Sequence, residues 1–155
     1  MPIIKKIRKA RAADMEQIYL MGKDAWGQNE TLEQYLTECR TSVKYEKGTW
    51  YVLESPEGLL SSCIIYKLNP NTLGIGSVAT GMAYRNAGNA KLMLRQILAL
   101  YKGRLFYLFS DIDPAFYQSI GFSRAPKRFQ AYKETCLMYY PQNSDLTKQL
   151  IPQYF

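Results

Sequence analysis

The segment Val78-Ala79-Thr80-Gly81-Met82-Ala83-Tyr84-Arg85-Asn86-Ala87-Gly88-Asn89-Ala90 sets the tightest limit on what this chain can fold into. Upstream lies an apolar run, Leu73 to Ala79, that reads as a strand. Downstream, Ala90, Met93, Leu94, Ile97, Leu98 and Tyr101 form the apolar stripe of an amphipathic helix. Lys91, Arg95 and Lys102 face outward, and Gly103 provides the stop. A strand that passes through a short loop into a long helix is an α/β signature. The first N–H groups of such a helix have no intrahelical partner, and the macrodipole adds partial positive charge there. Small residues in the loop let an anion approach those donors, which suits a pyrophosphate. The segment has neither the Gly-x-x-x-x-Gly-Lys-Ser/Thr of a P-loop nor the three spaced glycines of a dinucleotide fingerprint.

The remaining pattern fills in an α/β sandwich around a mixed sheet. Ile3 to Lys9 is β-branched and basic, and reads as a first strand. Met15, Ile18, Tyr19, Ala25 and Trp26 lie on one helical face, with Asp14 placed to cap it and Gly22 interrupting the stripe. Thr31 and Gln34 form a capping-box pair ahead of Leu32, Tyr35, Leu36 and Cys39. Trp50–Leu53 and Leu59–Leu68 flank a Ser55-Pro56-Glu57-Gly58 turn and predict a hairpin; Asn69-Pro70-Asn71 then turns the chain into the strand before the loop. Leu105–Phe109 is a short apolar strand of the kind buried on both faces. Pro114 opens a brief helix that Gly121 ends, and Phe129–Tyr132 with Cys136–Tyr140 predict a closing antiparallel pair.

Size and charge narrow the function. A chain of 155 residues suits one domain. No apolar run is long enough to span a bilayer, and no apolar block of signal-peptide length follows Lys5, Lys6 and Arg8. Cys39, Cys63 and Cys136 are odd in number and widely spaced, which predicts reduced thiols and a cytoplasmic protein. The chain has no histidine, which excludes histidine-based triads and histidine metal sites, and no metal is expected. The net charge of +7 suits an anionic partner, yet the basic residues are scattered and accompany no nucleic-acid motif, which argues against nucleic acid. Ordinary solubility explains that charge first, and capture of an anionic cofactor second.

Arg85-Asn86-Ala87-Gly88-Asn89-Ala90 resembles the R/Q-x-x-G-x-G/A signature of the GNAT acyltransferase superfamily, and Phe116-Tyr117-Gln118-Ser119-Ile120-Gly121-Phe122 resembles its F-Y-x-x-x-G-F segment. The similarity runs roughly from Lys5 to Tyr140. It implies a GNAT-like three-layer sandwich with a central mixed, mostly antiparallel sheet and helices on both faces. The expected organisation is one acyl-CoA N-acyltransferase domain over 1–155, with its core at about 5–140 and a tail at 141–155. The implied activity is transfer of acetyl from acetyl-CoA to a primary amine of a small molecule or peptide, by direct attack and without metal. The same fold used as a non-catalytic acyl-CoA sensor is the alternative.

The resemblance also assigns roles. The backbone of Val78, Ala79 and Thr80 pairs with the pantetheine arm as an added strand, and residues Arg85, Asn86, Ala87, Gly88, Asn89 and Ala90 bind the pyrophosphate. Tyr117 is the general acid that protonates the departing thiolate, a task a phenol performs while un-ionised at neutral pH. Ser110 stands where the superfamily often has a cofactor-binding asparagine, and its reach is shorter. Leu73 to Ala79 carries no titratable group, so removal of the amine's proton is left open among ordered water, Asp111, Asp113, Glu54 and release before binding. Trp26 is placed by the resemblance at the acceptor, with Tyr132 near it. Gly74 and Gly76 are expected to mark a bulge or a close backbone approach. The partners expected are acetyl-CoA and an amine, with no membrane, in a monomer or homodimer. Polyamine, antibiotic, amino acid and protein N-terminus all remain open as acceptors.

Overall fold

The computed structural model describes residues 3–155; Met1 and Pro2, part of the expected 1–155 domain, lie outside the described residues. The strands are β1 (Lys6–Lys9), β2 (Thr49–Ser55), β3 (Gly58–Asn69), β4 (Thr72–Thr80), β5 (Leu105–Ser110), β6 (Ser123–Arg124) and β7 (Cys136–Tyr140). The helices are α1 (Met15–Met21), α2 (Lys23–Trp26), α3 (Leu32–Arg40), α4 (Val43–Glu46), α5 (Asn89–Leu100) and α6 (Ala115–Gln118). The sheet has seven strands in the order β1-β2-β3-β4-β5-β7-β6. β4 and β5 run parallel, while β1 with β2, β2 with β3, β5 with β7 and β6 with β7 are antiparallel. The chain therefore has the mixed α/β sheet that its sequence predicts.

Two compact units divide the chain: the described residues up to Ile65 together with Ser77–Leu100, and Tyr66–Gly76 together with Tyr101–Phe155. In the first, Ile18, Met21, Val52 and Leu59 form a core against which Met15, Tyr19, Trp50 and Ala79 pack. α5 buries Met93, Leu94, Ile97 and Leu98, the stripe expected of it. β1 is shorter than its β-branched run, and Ile3 and Ile4 are exposed. Its outer edge is met by the Gln96 carboxamide, whose Oε1 accepts from the Ile7 N–H and whose Nε2 donates to the Lys5 carbonyl, both at 2.9 Å. One side chain of α5 thus takes two hydrogen-bonding positions of a neighbouring strand, and blunts an edge that invites pairing with another chain.

The first helical stretch breaks at Gly22 into α1 and α2 because the Trp26 ring packs against the Gly22 backbone, where any Cβ would collide with it. Asp14 does not cap α1, contrary to expectation. Its carboxylate turns back to accept from the Arg11 N–H and to pair with Arg8, both at 2.7 Å, and it makes no cap bond to the helix. Arg8 also holds Glu54, at 2.8 Å. The Thr31–Gln34 capping box of α3 forms in both directions. α4 goes unseen in the sequence pattern because it is a single turn, begun by the Ser42 hydroxyl accepting from the Tyr45 N–H.

In the second unit, Tyr107, Ala125, Leu137 and Leu146 form a core with Leu105, Phe109, Ile151 and Phe155 packed onto it. The segment after Pro141 therefore folds back onto its own unit. Phe129–Tyr132 is not a strand: Lys127–Phe129 is a 3-10 turn, and β7 pairs instead with β5 and with the two-residue β6. The physical reason is Gln130. Its Oε1 accepts from the Leu137 N–H at 2.8 Å and its Nε2 donates to the Leu137 carbonyl at 3.0 Å, so a carboxamide occupies the place a paired strand would take. The three cysteines are unpaired, as the spacing predicts, with Cys39 and Cys63 buried. Burial pushes the Cys63 thiol up to about 12, which leaves it a neutral packing group.

Candidate functional site

β4 changes character along its length. Thr72 to Ile75 are buried, and they pair with β5 from Thr72↔Leu105 to Ile75↔Leu108. That register ends there, and residues 76–80 continue the strand half-buried. Two residues after the register ends, Ser77 adopts φ +48°, a left-handed conformation that a non-glycine residue enters only at a cost of about 1–3 kcal/mol. The backbone irregularity expected of this strand therefore lies at Ser77. Gly74 serves the close approach instead, since a Cβ there would stand 2.6 Å from the Phe155 ring. Val78, Ala79 and Thr80 form the far end of the strand. Ala79 packs onto the core, the Thr80 hydroxyl pairs with Ser61 at 2.8 Å, and the Thr80 carbonyl accepts from Arg85 Nε at 3.0 Å.

The loop that follows is shaped by two left-handed residues, Asn86 at φ +63° and Gly88 at φ +79°. Nothing lies within 4 Å of a Cβ built on Gly88, so the backbone conformation alone calls for glycine. Asn86, Ala87 and Gly88 are exposed to solvent. The first N–H of this stretch engaged by the protein is that of Leu92, on the Gly88 carbonyl at 3.0 Å. Among the described residues, the N–H groups of residues 87–91 hydrogen-bond to no protein acceptor. They gather at the positive end of α5, a three-turn helix.

Two side chains, Arg85 and Asn89, tie this loop to its surroundings. Arg85 spans it: its guanidinium grips Asp24 through two bonds, at 2.6 and 3.0 Å, and also donates to the Met21 carbonyl at 3.2 Å. That pairing raises Arg85 and holds the Asp24 carboxyl below its ordinary value. The Arg85 side chain is therefore engaged by protein, and an anion at the loop meets main-chain donors. Asn89, 4% exposed, donates to the Tyr84 carbonyl and accepts from Lys5 Nζ, both at 2.9 Å. A lysine ammonium thus sits at the end of α5 where the dipole disfavours cations, an arrangement that a bound anion relieves. Ala90 begins the inward face of the helix.

Trp26 lies at the end of α2, 41% exposed, and the neighbouring Asp24 joins its segment to the loop of residues 85–88 through Arg85. The structure therefore brings Trp26, residues 78–80 and residues 85–90 into one unit. Asp24 and Lys5 were not picked out by sequence pattern, because partners 61 and 84 residues apart leave no local signal.

Ser110 and Tyr117 belong to the other unit. Ser110 ends β5 and is buried; its hydroxyl donates to the Ile112 carbonyl at 2.8 Å, which closes a turn into α6. Tyr117 is 7% exposed on α6, edge-on to Phe116 and Phe122 at ring separations of 5.0 and 6.1 Å. The Tyr117 carbonyl accepts from the Phe122 N–H at 3.1 Å, with Gly121 at φ +117° making the reversal. The sequence Phe116 to Phe122 is thus a helical turn folded onto its own aromatic rings. Glu54 is tied to Arg8, which keeps its carboxyl below the ordinary range and makes it a poor proton acceptor. Among the described residues no group of three His, Cys, Asp or Glu side chains is placed to hold a metal.

A strand with a strained turn, a loop of two left-handed residues and a helix with open N–H groups fall within a stretch that matches the acetyltransferase (GNAT) domain family over residues 6–125. The chain belongs to this family. Solved GNAT-type structures share the fold at low identity. A GNAT-family acetyltransferase from Staphylococcus aureus Mu50 is 14% identical with a TM-score of 0.64, and the match covers 88% of this chain and 98% of that one. The ribosomal-protein-S18-alanine N-acetyltransferase of Escherichia coli is 14% identical at 0.64, covering 88% and 92%. The PaiA N-acetyltransferase of Thermoplasma acidophilum, solved in complex with coenzyme A, is 12% identical at 0.66, covering 88% and 98%. No curated protein matches the chain at a significant level. Among the described residues of this GNAT-family protein, no helix is long and apolar enough to cross a membrane.

Proposed function

We propose that the protein acetylates a primary amine of a small molecule or peptide, taking the acetyl group from acetyl-CoA by direct transfer. The observation that carries this reading is the run of open N–H groups at residues 87–91, set at the positive end of α5 behind Gly88. The diphosphate of coenzyme A is an anion of the size and charge such a cradle takes. In this reading Arg85, Asn86, Ala87, Gly88, Asn89 and Ala90 contribute main-chain donors, and Lys5 adds a cation. Val78, Ala79 and Thr80 offer backbone to the pantetheine arm as an added strand. An N–H in this stretch polarises the thioester carbonyl as negative charge develops on its oxygen, an effect worth about 3 kcal/mol per donor in other enzymes.

Tyr117 is the acid that returns a proton to the thiolate, and Trp26 lines the acceptor side. Ser110 reaches the cofactor only in exchange for its bond to Ile112. Exposed Asp111 and the solvent are left to receive the amine's proton, since Glu54 is held by Arg8 and Asp113 accepts from the Ala115 N–H at 2.9 Å. The unpaired thiols support action in the cytoplasm.

Thermal unfolding with acetyl-CoA at about 100 times its dissociation constant should show about 2.7 kcal/mol of added stability. Thiol release with a panel of amines then separates an enzyme from a sensor of the same fold. Tyr117→Phe should keep the stabilisation while slowing release at least about tenfold. Stabilisation with no release from any amine would make the protein a sensor; no stabilisation at all would overturn the reading.

A further inference from the structure

A cavity of about 390 Å³ opens in the second unit, lined by Arg124, Ala125, Lys127, Gln130, Thr135 and Cys136. Its chemistry is lopsided. Arg124 and Lys127 bring two cations, and among the described residues neither takes part in an ion pair. Thr135 lines it with a buried Oγ1 that has no hydrogen-bond partner. An orphaned buried hydroxyl ordinarily costs about 1–3 kcal/mol, a cost that an accepting ligand removes. The Gln130 carboxamide is committed to Ala125 and Leu137 and braces the wall. Two free cations, one of them a planar fork of donors, and one waiting hydroxyl make a receptor for an oxyanion.

Its place in the sheet is set by β5 and β7. Cys136 on the cavity wall pairs with Ser110 of β5. Ser110 lies two residues past Leu108, the last β5 residue in register with β4. The cavity therefore stands beside the end of β5 that lies beyond its register with β4.

We propose that this cavity holds the carboxylate or phosphate of an amine acceptor, so that the substrate class is oxyanion-bearing amines. The inference rests on the acetyl-transfer reading for its amine, and on Arg124, Lys127 and Thr135 alone for its anion. Arg124 takes two oxygens of the anion, Lys127 neutralises it and Thr135 donates its hydroxyl.

The test uses the full chain at saturating acetyl-CoA with two matched pairs, β-alanine against n-propylamine and O-phosphoethanolamine against ethanolamine. The anionic member of one pair or both should have the lower KM, and which pair responds tells carboxylate from phosphate. Arg124→Gln should raise the KM of the anionic member at least about tenfold and that of its neutral partner less than about twofold. Lys127→Gln should act in the same direction, and Arg124→Lys should restore part of the loss. Thr135→Val should weaken the anionic substrate while leaving the unliganded protein as stable as before or more so.

Calorimetry with succinate and with inorganic phosphate, without acetyl-CoA, reads the cavity independently of catalysis. Saturable binding of either that Arg124→Gln abolishes upholds the site, even if acetyl-CoA fails to stabilise the protein. Binding of neither anion, or equal effects of Arg124→Gln and Lys127→Gln on charged and neutral amines, overturns it.

Discussion

The two halves of β4 make opposite demands on one strand. Thr72 to Ile75 are buried and hydrogen-bonded to β5, and their side chains decide whether the sheet forms. Residues 76–80 are half-buried and out of that register, and Ser77 holds a strained backbone among them. The first half is built by what its side chains exclude, and the second by what its main chain leaves open. Strain and unpaired backbone persist only where the rest of the molecule over-determines them, and such places are where ligands bind. In the proposed function, stability and ligand capture are therefore divided at a single residue step, between Ile75 and Gly76.

Substitutions on either side of that step should separate stability from binding. The largest effect belongs to the buried half. Ile75→Ala empties a 2%-exposed site and should lower unfolding free energy by about 2–5 kcal/mol in denaturant titration. Its remaining folded fraction should bind acetyl-CoA as before. Equal losses of binding and stability would erase the division.

Next comes Gly88→Val in the loop beyond the second half. A β-branched residue at φ +79° is a backbone outlier, although open space surrounds it. Calorimetry should show acetyl-CoA affinity down at least about tenfold, with about 1–2 kcal/mol of stability lost.

Ser77→Gly probes the strain itself. Glycine relieves the left-handed conformation but loses more chain entropy, so a net gain of about 1 kcal/mol in stability is expected. A loss would mean that the Ser77 side chain makes the conformation favourable.

The smallest effect is at Asp24, whose carboxyl is lowered from 3.8 by its hydrogen bonds to Arg85. A depressed folded value gives stability that is present above the unfolded value and is lost as pH falls through the folded one. The pair is half exposed, so Asp24→Asn should cost less than about 1 kcal/mol at pH 7. Melting curves of variant and parent should converge as the pH falls through the folded value.

What the sequence made legible was what neighbouring residues decide among themselves. The Thr31–Gln34 box, the stripe of α5 and the Gly88 loop are all local, and each formed where the pattern placed it. What stayed hidden was decided over distance. Gln96 and Gln130 each stand in for a strand with one carboxamide, and nothing in their surroundings marks them for it. Phe129–Tyr132 looked like a strand because it is apolar and follows a turn, yet Gln130 had already taken the partner it needed. The Asp24–Arg85 pair joins the segment of Trp26 to the loop ahead of α5 across 61 residues. Asp14 has the composition of a cap but lies within reach of Arg8, and a charged hydrogen bond outweighs a cap bond.

The central claim is that main-chain donors at the start of α5 hold the diphosphate of acetyl-CoA. The direct measurement is a titration of isotope-labelled protein with coenzyme A, followed by amide chemical shifts and hydrogen exchange residue by residue. The account predicts the largest shifts and new protection at residues 87–91, with a second set at residues 78–80. Saturable binding that left those amides unmoved and protected some other surface would contradict it.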